Sequence, residues 1–141
     1  MRRLDELEIE ELLSSDTVAR LATIDSQGYP HVTPIWFLWV DEAFYLTSYA
    51  GRPHLGRIAR NPRVGLVIDV EAAIRPDGER PNKQIRVIGD ATVSVDRGGV
   101  WTSRIRAKYV DAAARVVGDM AEPERMRITI TPRTVTAIAS I

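Results

Sequence analysis

The sequence predicts a mainly β domain: a small antiparallel barrel of six or seven strands, a short N-terminal helix, a short helix after the third strand and one longer inserted helix. Three observations predict it. Short stretches rich in Val, Ile, Thr and aromatic residues recur along the chain, each bounded by turn residues. Only three segments carry helical spacing. So many strands within 141 residues favour closure into a barrel, because closure removes exposed edges.

Leu4, Leu7, Ile9, Leu12 and Leu13 space out as one apolar side of a short helix, with Asp5, Glu6, Glu8, Glu10 and Glu11 between them. Ser14-Ser15-Asp16 ends it. Thr17 to Asp25 reads as the first strand, and Asp25-Ser-Gln-Gly28 as a hairpin turn into a strand from Pro30 to Val40. Both faces of that strand are largely apolar, so one is expected to meet the core and the other a partner or ligand. Asp41-Glu42 turns the chain into Ala43 to Ser48. A helix follows, starting near Arg52 and ending before Pro62, and then a strand from Arg63 to Val70. Glu71 to Asn82, with Pro76, Asp77, Gly78 and Pro81, has loop composition, and Lys83 to Val95 is a long alternating strand. Asp96 is expected to cap the inserted helix, in which Trp101, Ile105, Tyr109, Ala112 and Val116 recur at helical spacing until Gly118 and Pro123. Arg125 to Thr131 and Thr134 to Ser140 are read as the last two strands.

One domain, residues 1–141, accommodates all of this. The chain has no cysteine, which excludes disulfides, thiolate metal sites and a cysteine nucleophile and fits a reducing cytoplasm. Met1 to Ser15 is acidic and lacks an apolar run of signal-peptide or membrane-span length, so a cytoplasmic protein with no membrane partner is expected. Formal charge is zero, giving no global field to recruit nucleic acid. Two histidines far apart make a zinc or iron site improbable, and no nucleophile elbow, Rossmann or P-loop glycine pattern is present.

One segment stands out. In Thr47-Ser-Tyr-Ala-Gly-Arg-Pro-His-Leu-Gly-Arg57, Pro53 suits the first helical turn, no Ser, Thr, Asp or Asn precedes it as a cap, and Arg52, His54 and Arg57 crowd the same end. Free N–H groups and basic side chains together read as a phosphate-binding corner; the plainer reading is a solvated basic face. Trp36, Phe37 and Trp39 taken alone read as core, and Trp101 and Tyr109 as the buried side of the inserted helix.

Three segments carry a family resemblance: Ala19 to Phe37 with its Asp25-Ser-Gln-Gly28 turn and Pro30-His31-Val32, the basic corner with its tail Asn61-Pro62-Arg63-Val64, and Lys83-Gln-Ile-Arg-Val-Ile-Gly-Asp-Ala91. In these the chain resembles the pyridoxamine 5′-phosphate oxidase-like split β-barrel superfamily of flavin and deazaflavin oxidoreductases. The resemblance implies that the backbone of Thr33, Pro34, Ile35, Trp36, Phe37 and Leu38 runs along a cofactor's ring and ribityl chain, with Leu46 and Thr47 flanking the same site. Pro53 and His54 fall where the oxidases place an Arg-Lys pair on the cofactor phosphate, with Arg52 and Arg57 as the permanent charges. Gln84, with Lys83 beside it, matches a glutamine that reaches the cofactor from the neighbouring subunit, which implies a homodimer with shared cofactor sites.

The function implied is an oxidoreductase that binds FMN, or alternatively the deazaflavin F420, and transfers hydride to a small-molecule substrate. The oxidases' C-terminal Arg-x-His-x-Arg segment has no counterpart in Thr134 to Ile141, so vitamin B6 oxidation is not expected. Two alternatives stand beside it: a non-catalytic flavin- or haem-binding module for storage, sensing or stress, with His31 and His54 the candidate haem ligands, and a degenerate, empty pocket.

Overall fold

A computed structural model describes residues 1–114 and 123–140. Eight strands and three helices follow in the order β1 (Arg2–Arg3), α1 (Glu6–Ser14), β2 (Ala19–Ile24), β3 (Pro30–Ile35), β4 (Leu38–Val40), β5 (Ala43–Tyr49), α2 (Pro53–Arg60), β6 (Arg63–Glu71), β7 (Asn82–Val95), α3 (Val100–Tyr109) and β8 (Arg125–Ser140). All pairings are antiparallel, in the order β3-β2-β6-β7-β8-β5-β4, with β1 added to β8. The mainly β split-barrel expectation therefore holds.

The two ends of this sheet, β3 and β4, are consecutive in the chain and separated only by Trp36 and Phe37. A strand expected to run unbroken from Pro30 to Val40 thus breaks at Trp36-Phe37, so that its halves pair with opposite ends of the sheet. The break is paid for by burial of Phe37, which is fully inaccessible and packs edge-on against Phe44. Inward residues of the remaining strands complete the core: Leu21, Leu46, Leu66, Ile68, Ile85, Val87, Ile128 and Ile130. Their alternation with outward residues is the period-two signature of strands with one buried face.

Other boundaries also differ from expectation. The two expected C-terminal strands are one, β8, and the pairing with β7 survives Pro132 through a register shift at Ile88/Gly89 that leaves Arg133 as the extra residue. Helix α1 begins after an Asp5–Glu8 capping box, so Leu4 reaches the core from outside the helix, while Leu7 is 64% exposed on its outer side. Asp96 does cap α3, but across a 3-10 turn (Arg97–Gly99): its carboxylate accepts from Trp101 N–H and Thr102 N–H at 3.0 and 2.9 Å. Helix α3 ends at Tyr109; Val116 and Gly118 lie outside the described residues. Among the described residues no helix is long and apolar enough to cross a membrane.

Candidate functional site

The α2 corner forms because Gly51, at φ +87°, turns the chain off β5 and Pro53 starts a helix whose inner face carries His54, Leu55 and Ile58. Arg52 is the N-cap and offers no side-chain cap, and the first turn contains no acidic residue. Most of the expected free N–H groups are nevertheless committed. Arg52 N–H reaches Tyr49 C=O, Pro53 has none, and Leu55 N–H bonds Arg52 C=O, which leaves the N–H of His54. The anion-attracting power of this end therefore lies more in its guanidinium groups than in a row of amides.

Arg52, Pro53, His54 and Arg57 line a cavity of about 800 Å³ together with Thr33, Pro34, Ile35, Trp36, Thr47 and, from β8, Arg125. Among the described residues its lining contains three arginines and no carboxylate. Arg57 is oriented by donating from Nε to Thr23 Oγ1 at 2.8 Å, and Arg125 lies 3.8 Å over the Tyr49 ring, its cross-strand neighbour. Arg52, Pro53 and Arg57 also border a second hollow, of about 690 Å³, on the other side of the helix start, where His31 pairs with Asp25 at 2.8 Å.

His54 is buried and its Nε2 lies 3.0 Å from Ser48 Oγ. Burial, and after it the charges of Arg57 and Arg52, hold its pKa below the ordinary histidine value. The imidazole is thus neutral near pH 7 in the protein as it stands, and an anion between the arginines would reverse the electrostatic part of that shift.

Strand β3 supplies the opposite wall. It is a sheet edge, and Pro30 and Pro34, which have no N–H to give, are opposite the non-bonded partners Ile24 and Arg20 when the ladder is counted from the Asp25–Tyr29 bond. The same alternation directs Thr33 and Ile35 N–H toward β2 and Leu38 N–H toward Tyr45. Phe37 N–H goes to the Tyr109 hydroxyl at 3.2 Å. Of the backbone donors expected along residues 33–38, only Trp36 N–H then remains for a ligand.

Of the other predicted residues, Thr47 lines the cavity, whereas the Leu46 side chain is fully buried in the core and does not line it. Phe37 is likewise core, and Leu38 lines a separate apolar hollow between α1 and α3. Lys83 is 3.1 Å from Glu8, and Gln84 donates to Asn82 at 2.8 Å. Both lie at the start of β7 and line neither of these two cavities. Sequence reasoning missed Val18, Ser48, Tyr49 and Arg125 as lining residues; Tyr49 and Arg125 are joined only by the β5–β8 register, which no local pattern announces.

The profile of the family described as pyridoxamine 5′-phosphate oxidase matches residues 6–139. No curated protein matches the chain. Among solved structures, an F420 reductase is 24% identical with a TM-score of 0.68, covering 90% of this chain and 94% of its own. A FAD-binding protein from Mesorhizobium loti is 22% identical with a TM-score of 0.71, covering 99% and 98%. The haem storage protein HutZ from Vibrio cholerae is 20% identical with a TM-score of 0.70, covering 97% and 95%. At these identities the likeness is one of fold.

Proposed function

Because the chain belongs to the pyridoxamine 5′-phosphate oxidase family, we propose that it is an oxidoreductase holding FMN or F420 in the 800 Å³ cavity. The observation that carries the reading is the lining: Arg52 and Arg57 at the α2 corner, no carboxylate among the described residues, and the apolar Pro34-Ile35-Trp36 wall. A flat ring joined to a phosphate by a polar chain matches that division of charge and apolar surface. Arg52 and Arg57 would hold the phosphate, His54 would add its N–H and a proton, and Trp36 N–H would meet the ring edge. When bound, the cofactor supplies hydride chemistry, and the protein contributes orientation and exclusion of water.

A homodimer is part of this reading. Neither Lys83 nor Gln84 lines its own chain's cavity, so a role for them at a cofactor is assigned to the site of a second copy. Haem is the weaker fit. The Nε2 atoms of His31 and His54 are engaged by Asp25 and Ser48, and arginines flank His54.

The test is a fluorescence titration of apoprotein with FMN and, separately, with F420, repeated on an Arg52→Ala/His54→Ala double variant. Tight binding of one cofactor, lost in the variant, is expected. Binding of neither by the wild-type protein would overturn the reading.

A further inference from the structure

We infer that a recess of about 140 Å³ beside the main cavity is the subsite for the second substrate, and that it takes a carboxylate. The inference rests on the cofactor reading of the larger cavity. Trp36, Thr47, Thr102, Ile105, Arg106 and Arg125 line the recess. Three of these, Trp36, Thr47 and Arg125, also line the main cavity, so a molecule in the recess adjoins whatever lies against Trp36. The volume admits a head group and not a second cofactor.

Arg106 identifies the chemistry. Its side chain is partly buried; Nη2 donates to Ala114 C=O at 3.2 Å, while Nε is buried and has no acceptor among the described residues. A buried donor without a partner costs about 1–3 kcal/mol, and a charged one more, so an acceptor brought next to this guanidinium is favoured. Among the described residues no carboxylate lines the recess. On its far side Arg106 borders another hollow that includes Asp96 and Glu124. The Asp96 carboxylate is occupied there as the α3 cap, accepting from Trp101 N–H, Thr102 N–H and Thr102 Oγ1. The Arg106 guanidinium, with Arg125 adding positive charge beside it, selects an anion, and a planar guanidinium suits the two coplanar oxygens of a carboxylate. The Trp36 indole on the same wall favours a flat body behind that group.

Benzoate and its neutral analogue benzamide are the probes. Each is titrated into protein loaded with whichever cofactor binds, following the cofactor's difference spectrum and tryptophan fluorescence, for the wild type, Arg106→Gln and Arg106→Lys. Benzoate is expected to give a saturable change, benzamide to bind at least roughly tenfold more weakly, Arg106→Gln to abolish the difference, and Arg106→Lys to restore part of it. Cofactor affinity, measured first, should stay within about twofold in both variants, because neither removes a residue of the phosphate corner. Equal binding of benzoate and benzamide, no spectral change with either, or unaltered benzoate binding in Arg106→Gln would overturn the inference while leaving the cofactor reading intact. Failure of the wild type to take up either cofactor would overturn both.

Discussion

The Tyr109 hydroxyl is 3.2 Å from Phe37 N and 2.9 Å from Thr17 O, so the last residue of α3 is hydrogen-bonded into the seam where β3 gives way to β4. Its ring stacks on Trp36 at 4.8 Å and 3°. One side chain therefore ties down the backbone that wedges Phe37 into the core and the indole that walls the cavity. Tyr109→Phe keeps the stack and removes both hydrogen bonds. Leaving Phe37 N–H and Thr17 C=O unmet should cost about 1–3 kcal/mol in urea unfolding. Because the seam also aims Trp36, cofactor affinity should fall in the same variant, read by the fluorescence titration; unchanged stability would show that water replaces the hydroxyl.

His54 makes anion binding proton-linked. Its pKa is held below the ordinary value in the free protein, and a bound phosphate dianion raises it. Binding then takes up a proton, so affinity strengthens as pH falls from 8 toward the free-state pKa and weakens as pH rises through the bound-state pKa. Loss of charge by the phosphate itself near pH 6 acts in the opposite direction. His54→Gln separates the two, since it should remove the rise in affinity and keep only the phosphate's own decline. Calorimetric titration in buffers of different ionisation enthalpy reads the proton count directly.

Lys108 gives a second, separate pH signature. Its Nζ donates to Phe37 C=O at 3.0 Å and sits 3.6 Å from the Phe37 ring centroid, and burial lowers its pKa to about 8, opposed by the nearby charge of Asp16. The unfolded chain keeps the ordinary value near 10.5, so between pH 8 and 10.5 the unfolded state holds more protons. Stability should therefore rise with pH across that window, and Lys108→Met should flatten the rise. Chemical denaturation at pH 7.5, 9 and 10 measures it; a parallel slope in wild type and variant would assign the effect elsewhere.

Much of the fold was legible in the sequence because alternation and turn chemistry are local. The Asp25–Gly28 hairpin, the Pro53 helix start and the loop of residues 72–81 are set by residues within a few positions of each other. The kink at Trp36-Phe37 was not legible, since nothing nearby breaks the strand. It exists because Pro30–Ile35 and Leu38–Val40 pair with β2 and β5, far apart in the sheet order. Site residues divide the same way. The basic corner is contiguous and could be read, whereas Arg106 and Arg125 meet only through packing of α3 and β8 near β5, and the burial that neutralises His54 depends on Ser48 across the corner.

The glycine of the Lys83–Ala91 motif has a purely steric reason that yields a paired prediction. At the β7–β8 register shift, Thr131 C=O and Pro132 turn in over Gly89; a Cβ there would stand 2.6 Å from Thr131 O, 3.0 Å from Ile130 Cγ2 and 3.3 Å from Pro132 Cα. Two of those three neighbours are backbone atoms and cannot swing aside. The bulge itself is what lets Pro132 and the extra Arg133 interrupt a strand otherwise paired from Asn82 to Val95. Gly89→Ala must therefore either open the bulge or shift β8, at about 1–3 kcal/mol of stability. Gly65 is the internal control. It lies on the neighbouring strand β6, where a Cβ would meet Ala22 Cβ at 3.6 Å and Val87 O at 3.8 Å, ordinary contacts. There the loss of unfolded-chain entropy dominates, and Gly65→Ala should be neutral or stabilising by up to about 1 kcal/mol. Urea unfolding of both variants reads the contrast; equal effects would mean that the close approach at Gly89 relaxes without cost and that the motif's glycine has another explanation.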